Sequence, residues 1–481
     1  MDRNLLKAIK MKKQLLITLY FILCSFLITN AQQVEWVKEI HFSDVWNRSS
    51  SIKSISADKQ GNVIIAGYYR NGDHTTQDKG IFLGKYDLSG SILWMDTIEA
   101  SAYCTGMVIG DNYIYIAGNC NSGQTMQFDN FTLFNPNTAR SIFIVKYDLE
   151  GNVIWANMVL NTSSYKIGFF NNELYHMVTR YNDSFIDKYS TDGTSIWSKN
   201  LNAGSAPTDF SISDENNIFV ALKSAIIKYN SNLDLIWSRE VPGYSITALS
   251  SDKKGNCYMA GSTMGDITIG NTALYAGNDS FCRFVAKMDS AGNYVSAFQA
   301  PLESNTYALH NSGESVFCAG DYVEENSNGA VGSVLSKFTK DSLDWYVKIN
   351  PYNRPASIIT DEYNVYVGGY LREELLTAFL ASIKDNTYTP TSIKKNTIEN
   401  SLNIYPNPTG SIFNVIYSSP GHEQLQINIR SITGQVIYSE SILQFQGEYR
   451  KAIDLSKQAK GLYFIEIAGD KNKQVKKIVV N

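Results

Sequence analysis

The chain has 481 residues, enough for one to three domains of ordinary size. Hydrophobic residues make up 44% and charged residues 18%, which excludes a wholly disordered chain, because disorder requires few apolar residues and a high net charge. The formal net charge of −4 does not indicate a nucleic-acid-binding protein, and the 30 tyrosines and 22 phenylalanines favour β-strands.

Residues 1–31 have the composition of a secretory signal peptide. Five basic residues precede an apolar run at 15–28, and the small residue Ala31 follows it. The apolar run has 14 residues, whereas a membrane-spanning helix needs about 20. The sequence therefore predicts a mature chain that begins near Gln32 and contains no membrane span.

The middle of the chain repeats three short signatures in a fixed order. The first is an apolar run ending in Ala-Gly or a variant of it, with copies ending at Gly67, Gly118, Met177, Ala221, Gly261, Gly320 and Gly369. The second is a run ending in a lysine, at Lys85, Lys146, Lys188, Lys228, Lys287, Lys337 and Lys384. The third is a strand centred on tryptophan, at Trp36, Trp94, Trp155, Trp197, Trp237 and Trp345, with Phe298 in the remaining position.

Turn residues separate the lysine run from the tryptophan strand. Asp148 and Gly151 occupy the first and fourth positions of one such turn, which is typical of β-hairpins because glycine accepts positive φ. Four short strands in a repeat of about 50 residues are typical of a β-propeller. Seven copies predict a seven-bladed β-propeller at 32–388. The strand at Trp36 is predicted to complete the last blade beside 378–384 and so to close the ring.

Two stretches connect these repeats with a known family. Residues 261–270, followed by 284–289, resemble the bacterial β-propeller repeats abbreviated SBBP, and residues 118–155 follow the same pattern. The resemblance implies the propeller fold and leaves the ligand open, because one fold supports many functions.

Motifs for chemistry are few. Residues 118–125 come close to a phosphate-binding loop, but Gln124 stands where the lysine is required. Residues 190–197 are similar to the Asp-box of sialidase propellers but lack one spacer residue, so we interpret them as a hairpin turn before Trp197. The five histidines are far apart in the sequence. We therefore predict no catalytic, cofactor-binding or metal-binding residues, and no cofactor.

The cysteines of the mature chain are predicted to be core residues. They are an odd number without a pairing pattern, which does not indicate a disulfide framework, and several lie in apolar runs. These residues are Cys104, Cys120, Cys257, Cys282 and Cys318.

The C-terminal part differs from the repeats. Residues 389–401 are polar and predict a linker, and 402–481 contain seven short alternating segments that predict a small Ig-like β-sandwich. The motifs at 404–409, 432–436, 453–456 and 461–464, followed by a basic end at 476–480, closely resemble the type A sorting domain of the type IX secretion system of Bacteroidetes. The resemblance implies that the outer-membrane secretion machinery is the partner of 402–481, and that the product is released or attached to the cell surface.

Two functions remain open for the propeller. It is a non-catalytic module that binds a glycan or a protein, or it is a secreted hydrolase or lyase that acts on polysaccharide at the propeller channel. Residues 32–401 contain 28 Lys and Arg against 39 Asp and Glu, so the net charge of this region disfavours nucleic acid and other polyanions as partners.

Overall fold

The computed structural model describes residues 32–42, 48–71, 79–181, 183–203, 205–241, 244–276, 281–323, 330–339, 342–349, 354–361, 364–372, 376–385, 403–405, 409–432, 434–468 and 473–480. The predicted signal peptide, the predicted linker and Trp46 lie outside these residues. The chain divides into two compact units, Met1–Tyr388 and Thr389–Asn481.

The described part of the first unit consists almost entirely of strands. In chain order these are β1 (Val34–Ile40), β2 (Arg48–Ala57), β3 (Val63–Asn71), β4 (Lys79–Tyr86), β5 (Ile92–Glu99), β6 (Ala102–Gly110), β7 (Tyr113–Cys120), β8 (Thr125–Phe128), β9 (Phe131–Phe134), β10 (Ser141–Asp148), β11 (Val153–Val159), β12 (Ser163–Phe170), β13 (Glu173–Arg180), β14 (Asp183–Ser190), β15 (Ser195–Asn200), β16 (Pro207–Ile212), β17 (Ile218–Leu222), β18 (Ala225–Tyr229), β19 (Leu235–Glu240), β20 (Tyr244–Ser251), β21 (Cys257–Met264), β22 (Ile267–Ile269), β23 (Thr272–Leu274), β24 (Phe281–Met288), β25 (Tyr294–Gln299), β26 (Asn305–Ser312), β27 (Ser315–Val323), β28 (Ala330–Thr339), β29 (Ser342–Ile349), β30 (Arg354–Thr360), β31 (Asn364–Arg372) and β32 (Leu376–Lys384). A 3₁₀ turn lies at Pro301–Glu303.

These strands form seven four-stranded antiparallel sheets. In chain order, sheets 1 to 7 are β2-β3-β4-β5, β6-β7-β10-β11, β12-β13-β14-β15, β16-β17-β18-β19, β20-β21-β24-β25, β26-β27-β28-β29 and β30-β31-β32-β1. The hairpins β8-β9 and β22-β23 are insertions in sheets 2 and 5. The described residues contain no helix long and apolar enough to cross a membrane.

The sheets are arranged in a closed ring. The inner strands, defined as the first strand of each sheet (β2, β6, β12, β16, β20, β26 and β30), contact one another in that order, and β30 contacts β2 again. The all-β propeller predicted from the repeats is confirmed, and the number of predicted blades equals the number of four-stranded sheets described.

The outermost strand of sheet 7 comes from the beginning of the described chain. Strand β1 pairs antiparallel with β32, with Val37 opposite Ala381 and Ile40 opposite Ala378. The main chain of Lys384 also donates to the Gln33 carbonyl. This is the closure expected from the position of Trp36, and it gives β32 a hydrogen-bonded neighbour on both sides.

Apolar side chains fill the space between neighbouring sheets. The middle strands are continuous buried runs, as expected for strands covered on both faces, and every residue of β10 from Ser141 to Tyr147 is buried. One cluster joins Ile64 and Leu83 of sheet 1 to Ile116 and Val145 of sheet 2.

The repeated lysine and tryptophan act together between sheets. Lys85 Nζ and Trp94 Nε1, both in sheet 1, donate to the same oxygen, the Leu149 carbonyl in the last turn of sheet 2, at 3.1 and 3.2 Å. The sequence spacing of lysine and tryptophan is thereby explained, because the two residues are paired across β4 and β5 and point at one acceptor.

The same arrangement recurs around the ring. Both donors converge on the Thr191 carbonyl from sheet 2, on the Ser290 carbonyl from sheet 4 and on the Asp385 carboxylate from sheet 6. Trp36 in sheet 7 donates to the Leu88 carbonyl of sheet 1, but it lies opposite Ser382, so the assignment of Lys384 to the repeated lysine position is wrong by two residues. In sheet 5 the assignment of Phe298 to the tryptophan position is wrong by two residues as well, because Ser296 lies opposite Lys287. Phe298 lies opposite Val285 and stacks on Phe338 of sheet 6 at 5.1 Å between ring centroids.

The turn that receives these donors requires its glycine for two reasons. Gly151 has φ +94°, a conformation that other residues adopt only with strain. A Cβ at this position would also lie 3.2 Å from the Trp94 ring. The turn that Asp148 and Gly151 predict therefore also forms the surface against which the tryptophan of the neighbouring sheet packs.

The second unit is a small two-layered β-structure. Its strands are β33 (Asn403–Tyr405), β34 (Ile412–Ser431), β35 (Val436–Asp454), β36 (Gly461–Ala468) and β37 (Lys473–Val480). They form one sheet in the order β33-β34-β36-β37, with β35 also paired to β34. Residues from both halves of β34, such as Phe413 and Ile427, share one core with Ile465 and Ile478. The expected β-sandwich is formed by five strands instead of seven segments, because β34 and β35 each run through two of the predicted segments.

The motifs of this unit are turns and strand ends. Asp454 Oδ1 accepts the Ser456 amide at 2.7 Å, and the Gly434 amide donates to the Ser431 carbonyl with Gly434 at φ +86°. The final strand is part of the sheet, since the Thr409 amide donates to the Val479 carbonyl at 2.8 Å.

We predict that Trp94→Phe lowers the free energy of unfolding of the propeller by about 1 kcal/mol, because the ring is kept while one inter-sheet hydrogen bond is lost. The matched control is Trp197→Phe, since Trp197 is half-buried in the same repeat position and, in the described part of the chain, its indole N–H makes no hydrogen bond. Urea unfolding of both variants measures the difference. Equal losses of stability would show that packing alone explains the repeated tryptophan.

Candidate functional site

Every inner strand contains a β-bulge at the same place. In sheet 1 the pairing register between β2 and β3 shifts between Ile52 and Ser54, so Lys53 is the extra residue. The corresponding shifts in the other six inner strands leave Thr105, Tyr165, Thr208, Thr247, Tyr307 and Ala356 as extra residues. Bulges change the direction of a side chain and are common beside functional sites.

The bulge explains the Ala-Gly signature. Cys104 and Gly106, on either side of the bulge, pair with Gly118 and Ala117. At Gly118 the strand β7 approaches β6 so closely that a Cβ would lie 2.3 Å from the Tyr103 carbonyl oxygen. Glycine is therefore required at 118, whereas Val178 and Leu222 occupy the equivalent positions of sheets 3 and 4.

The threonines among the bulge residues satisfy the backbone that the bulge disturbs. The hydroxyls of Thr105, Thr208 and Thr247 donate to the carbonyls of Ala117, Ala221 and Ala260, each at 3.3 Å. Lys53, Tyr165 and Tyr307 have no such short side chain. The hydroxyl of Tyr307 is bonded to Asp321 and Arg354, so the side chains of Lys53 and Tyr165 are the ones that these hydrogen bonds leave available to a ligand.

All seven bulge residues line one cavity of about 350 Å³ at the centre of the ring. We call this cavity the channel, and it receives residues from every inner strand. Polar contacts between neighbouring inner strands surround it. They are Ser54 Oγ to the Met107 carbonyl, Thr105 Oγ1 with Ser164 Oγ, Lys166 with Asp209, the Leu249 amide to Asp209, Thr247 Oγ1 to the Thr306 carbonyl, Arg354 to Tyr307 and the Ile55 amide to Ser357 Oγ. Most polar groups of the channel are therefore already used by the protein itself.

A second cavity, of about 460 Å³, shares Lys53, Thr105 and Tyr165 with the channel. We call it the cleft. It is further lined by residues of sheets 1, 2 and 3, namely Tyr68, Arg70, Tyr103, Cys104, Arg140 and Ser164. Three cationic side chains and three tyrosines thus line the cleft, and none of its described lining residues is acidic.

The aromatic rings hold the cations of the cleft. Lys53 Nζ and the Arg70 guanidinium lie 5.4 and 5.6 Å from the centroid of the Tyr68 ring. The Arg140 guanidinium lies 5.5 Å from the Tyr103 ring, and the two tyrosines meet edge to face at 6.5 Å. Cation–π contacts of this kind orient the charge without neutralising it.

Burial changes the acid–base properties of this region. It lowers the pKa of Lys53 from its ordinary value, partly opposed by Tyr370, and it raises the pKa of Tyr103. Desolvation likewise raises the pKa of the buried Cys104 thiol to about 12, so this cysteine is not a nucleophile at neutral pH.

Behind the cleft lies a buried histidine. His176 is fully buried, and its Nε2 lies 2.7 Å from Ser164 Oγ, which is also bonded to Thr105 Oγ1 at 2.5 Å. Desolvation lowers the pKa of His176 to about 4, so the ring is neutral at physiological pH. Within the described residues its Nδ1 has no hydrogen-bond partner, because the nearby Asp187 is paired with Arg180.

The other residues considered from the sequence are dispersed. His41 is exposed beside Glu39, His310 lies on β26, His74 is outside the described residues, and for His422 only the backbone in β34 is described. The residues at 190–193 form a turn whose Gly193 amide donates to the Ser190 carbonyl, as interpreted above. All five cysteines of the described chain are buried thiols. In the same part of the chain no group of three or more His, Cys, Asp or Glu side chains could hold a metal ion.

The cleft residues were not found by sequence reasoning. They come from three sheets and belong to no motif, and Lys53, Arg70 and Arg140 occupy different repeat positions. Aligning the seven inner strands on their bulges would have revealed a column that varies between Lys, Thr, Tyr and Ala among otherwise similar residues.

Comparisons with known proteins bear separately on the two units. Residues 403–481 match the family model described as a secretion system C-terminal sorting domain. An uncharacterized WD repeat-containing protein of Acanthamoeba polyphaga mimivirus is 24% identical over an alignment of 366 positions, which covers 62% of this chain and 26% of that protein. The chain thus matches about a quarter of the length of that relative.

Two solved structures are similar to most of the chain. Virginiamycin B lyase from Staphylococcus aureus has a TM-score of 0.46 and 13% identity, and covers 73% of this chain and 99% of its own. The Neurospora crassa Pan2 WD40 domain has a TM-score of 0.45 and 8% identity, with the same two coverages.

The low pKa of His176 predicts acid sensitivity. An unfolded histidine binds protons below about pH 6.5 while the folded His176 does not, so the free energy of unfolding decreases as the pH falls from about 6.5 to about 4. We expect the wild type to lose about 3 kcal/mol more over this window than His176→Gln, which keeps a donor for Ser164. Chemical denaturation at a series of pH values measures this, and parallel curves for the two proteins would contradict it.

Proposed function

We propose that the chain is a protein exported by the type IX secretion system whose propeller binds a ligand at the cleft without converting it. The observation that carries the binding assignment is the set of seven aligned bulges. They direct non-equivalent side chains to one channel, and on one side the channel widens into a cleft of about 460 Å³. This volume is in the range of ligand sites, which span about 300–1,000 Å³.

The sorting-domain match at 403–481 supports export through the outer membrane. The proposed route begins with the signal peptide at 1–31, which takes the chain to the periplasm. The propeller at 32–388 is the cargo, 389–401 is a linker, and 402–481 is read by the secretion machinery. The product is secreted or held at the cell surface of a Bacteroidetes bacterium.

Binding is favoured over catalysis by the state of the polar groups near the cleft. A serine nucleophile needs a histidine base that is itself oriented by a third group. Ser164 and His176 are within hydrogen-bond distance, but in the described residues no acceptor orients His176 Nδ1. Lys166 and Asp209, the charged pair of the channel, are bonded to each other. The pairs Ser164–His176 and Lys166–Asp209 therefore supply neither an activated serine nucleophile nor a free carboxylate for a hydrolase.

We predict that deleting 476–481 blocks export without unfolding the propeller. The deletion removes Ile478 and Val480 from the core of the sorting domain and unpairs the first five residues of β36 from β37, whereas the propeller has its own closed ring. In a Bacteroidetes host the truncated protein should accumulate in the periplasm with a protease-resistant propeller. Lys476→Ala is the matched control, because this side chain is exposed and the strand remains intact. Normal surface levels of the truncated protein would refute the sorting assignment.

For ligand binding we predict that Tyr165→Ala weakens binding at least about fivefold, the loss typical of a central aromatic contact. Tyr165 is 40% exposed and lines both the cleft and the channel. Tyr346→Ala is the matched control, because Tyr346 is 41% exposed on the outer strand β29. Arrays of glycans and proteins probed with both variants of the mature full-length chain compare them, with product analysis of each bound ligand. Equal binding by both variants would exclude the cleft, and release of fragments from a bound polysaccharide would establish the enzymatic alternative.

A further inference from the structure

The propeller region has a negative net charge, whereas the cleft is lined by positive charges. Residues 32–401 contain 11 more acidic than basic residues, yet the cleft is lined by Lys53, Arg70 and Arg140 and by no acidic residue of the described part of the chain. Charges interact over about 8 Å at physiological salt, so a ligand inside the cleft experiences these three cations more than the distant acidic turns. The net negative charge of this region therefore disfavours long polyanions, whereas a short anionic ligand interacts mainly with the three cations of the cleft.

Among the described residues, the three cations have no anionic partner. In the described residues no carboxylate forms an ion pair with Lys53, Arg70 or Arg140. Elsewhere in the propeller, cations of similar setting are paired, as Lys166 is with Asp209 and Arg180 with Asp187. Holding three unpaired cations beside one another costs electrostatic energy, and a bound anion removes that cost.

The shape of the cleft and its uncharged side chains indicate which kind of molecule bears the anionic group. The exposed ring of Tyr165 stands beside the cations, and the cleft also contains the hydroxyls of Thr105 and Ser164. An aromatic face suits the apolar face of a sugar ring, arginine forks suit carboxylate or sulfate, and hydroxyls suit sugar hydroxyls.

We propose that the cleft binds a short acidic saccharide, with its carboxylate or sulfate on Lys53, Arg70 and Arg140 and a sugar ring against Tyr165. This assignment rests on the proposed function and names its ligand class. The cations already lie against Tyr68 and Tyr103, so they are oriented before the ligand arrives and little side-chain freedom is lost on binding.

Calorimetric titration of the mature full-length chain tests the proposal. The probes are a short oligogalacturonate for the carboxylate, a sulfated galactan oligosaccharide for the sulfate, a neutral galacto-oligosaccharide and an oligoglutamate peptide. We expect one or both acidic sugars to bind with an affinity that falls as salt is added, and the neutral sugar to bind at least about tenfold more weakly.

Variants of the cations sharpen the test. Arg70→Gln and Arg140→Gln should each weaken acidic-sugar binding about tenfold, the value of a charge-assisted hydrogen bond, whereas Arg140→Lys should lose less because the charge remains. Lys59→Gln is the matched control, since Lys59 is exposed in the turn at the end of β2 that lies away from Arg70. Thermal unfolding of each variant establishes that it is folded.

The outcomes separate the two proposals. Equal binding of the neutral and acidic sugars, or acidic-sugar binding unaffected by both arginine variants, would overturn the acidic-saccharide assignment. Binding of oligoglutamate in preference to both acidic sugars would overturn the saccharide and leave the cleft as a binding site. If Tyr165→Ala also changes no binding to any array ligand, the proposed function itself fails.

Discussion

Between four pairs of neighbouring sheets, two donors of one sheet share one acceptor group of the next. The lysine ammonium and the tryptophan N–H of one sheet reach the same oxygen in the last turn of its neighbour, and the tryptophan ring covers the glycine of that turn. Because the turn, the lysine and the tryptophan recur in most repeats, a repeat that folds correctly presents both the donors for one neighbouring sheet and the acceptor for the other. Lys85, Lys146, Lys228 and Lys337 are buried, which is tolerated because each is hydrogen-bonded to an oxygen of the next sheet.

With the outer parts of the sheets fixed in this way, the inner strands can carry variation. The bulge directs one side chain per sheet to the channel, and its partner glycine allows the two backbones to approach. What occupies the bulge is not dictated by packing, so lysine, tyrosine, threonine and alanine all occur. The propeller thereby has seven bulge positions that face the channel, and those of sheets 1 to 3 also line the cleft.

The propeller fold could be predicted from the sequence because the same strand and turn signals occur in several repeats. The closure of the ring followed from counting strands, and the turn at Gly151 followed from its position after Asp148. The long strands β34 and β35 were divided in two by the sequence argument, because the residues at which they bend have the composition of turns. The cleft could not be predicted, since Arg70 and Arg140 are far apart in the chain and only the ring brings them beside Lys53. A net charge averages over a domain, so it gave the wrong sign for this one place.

The pairing of β1 with β32 also determines when the propeller can be completed. More than 330 residues separate Val37 from its partner Ala381. Strand β1 can therefore pair with β32 only when almost the whole propeller domain is present. Contacts between such distant parts of a chain form late, because the loop they close must first be ordered. Sheet 7 is therefore the natural last step of folding. Until that step the ring is not closed. A chain that is exported from its N-terminus onward therefore remains incompletely folded until the segment just before the sorting domain has followed.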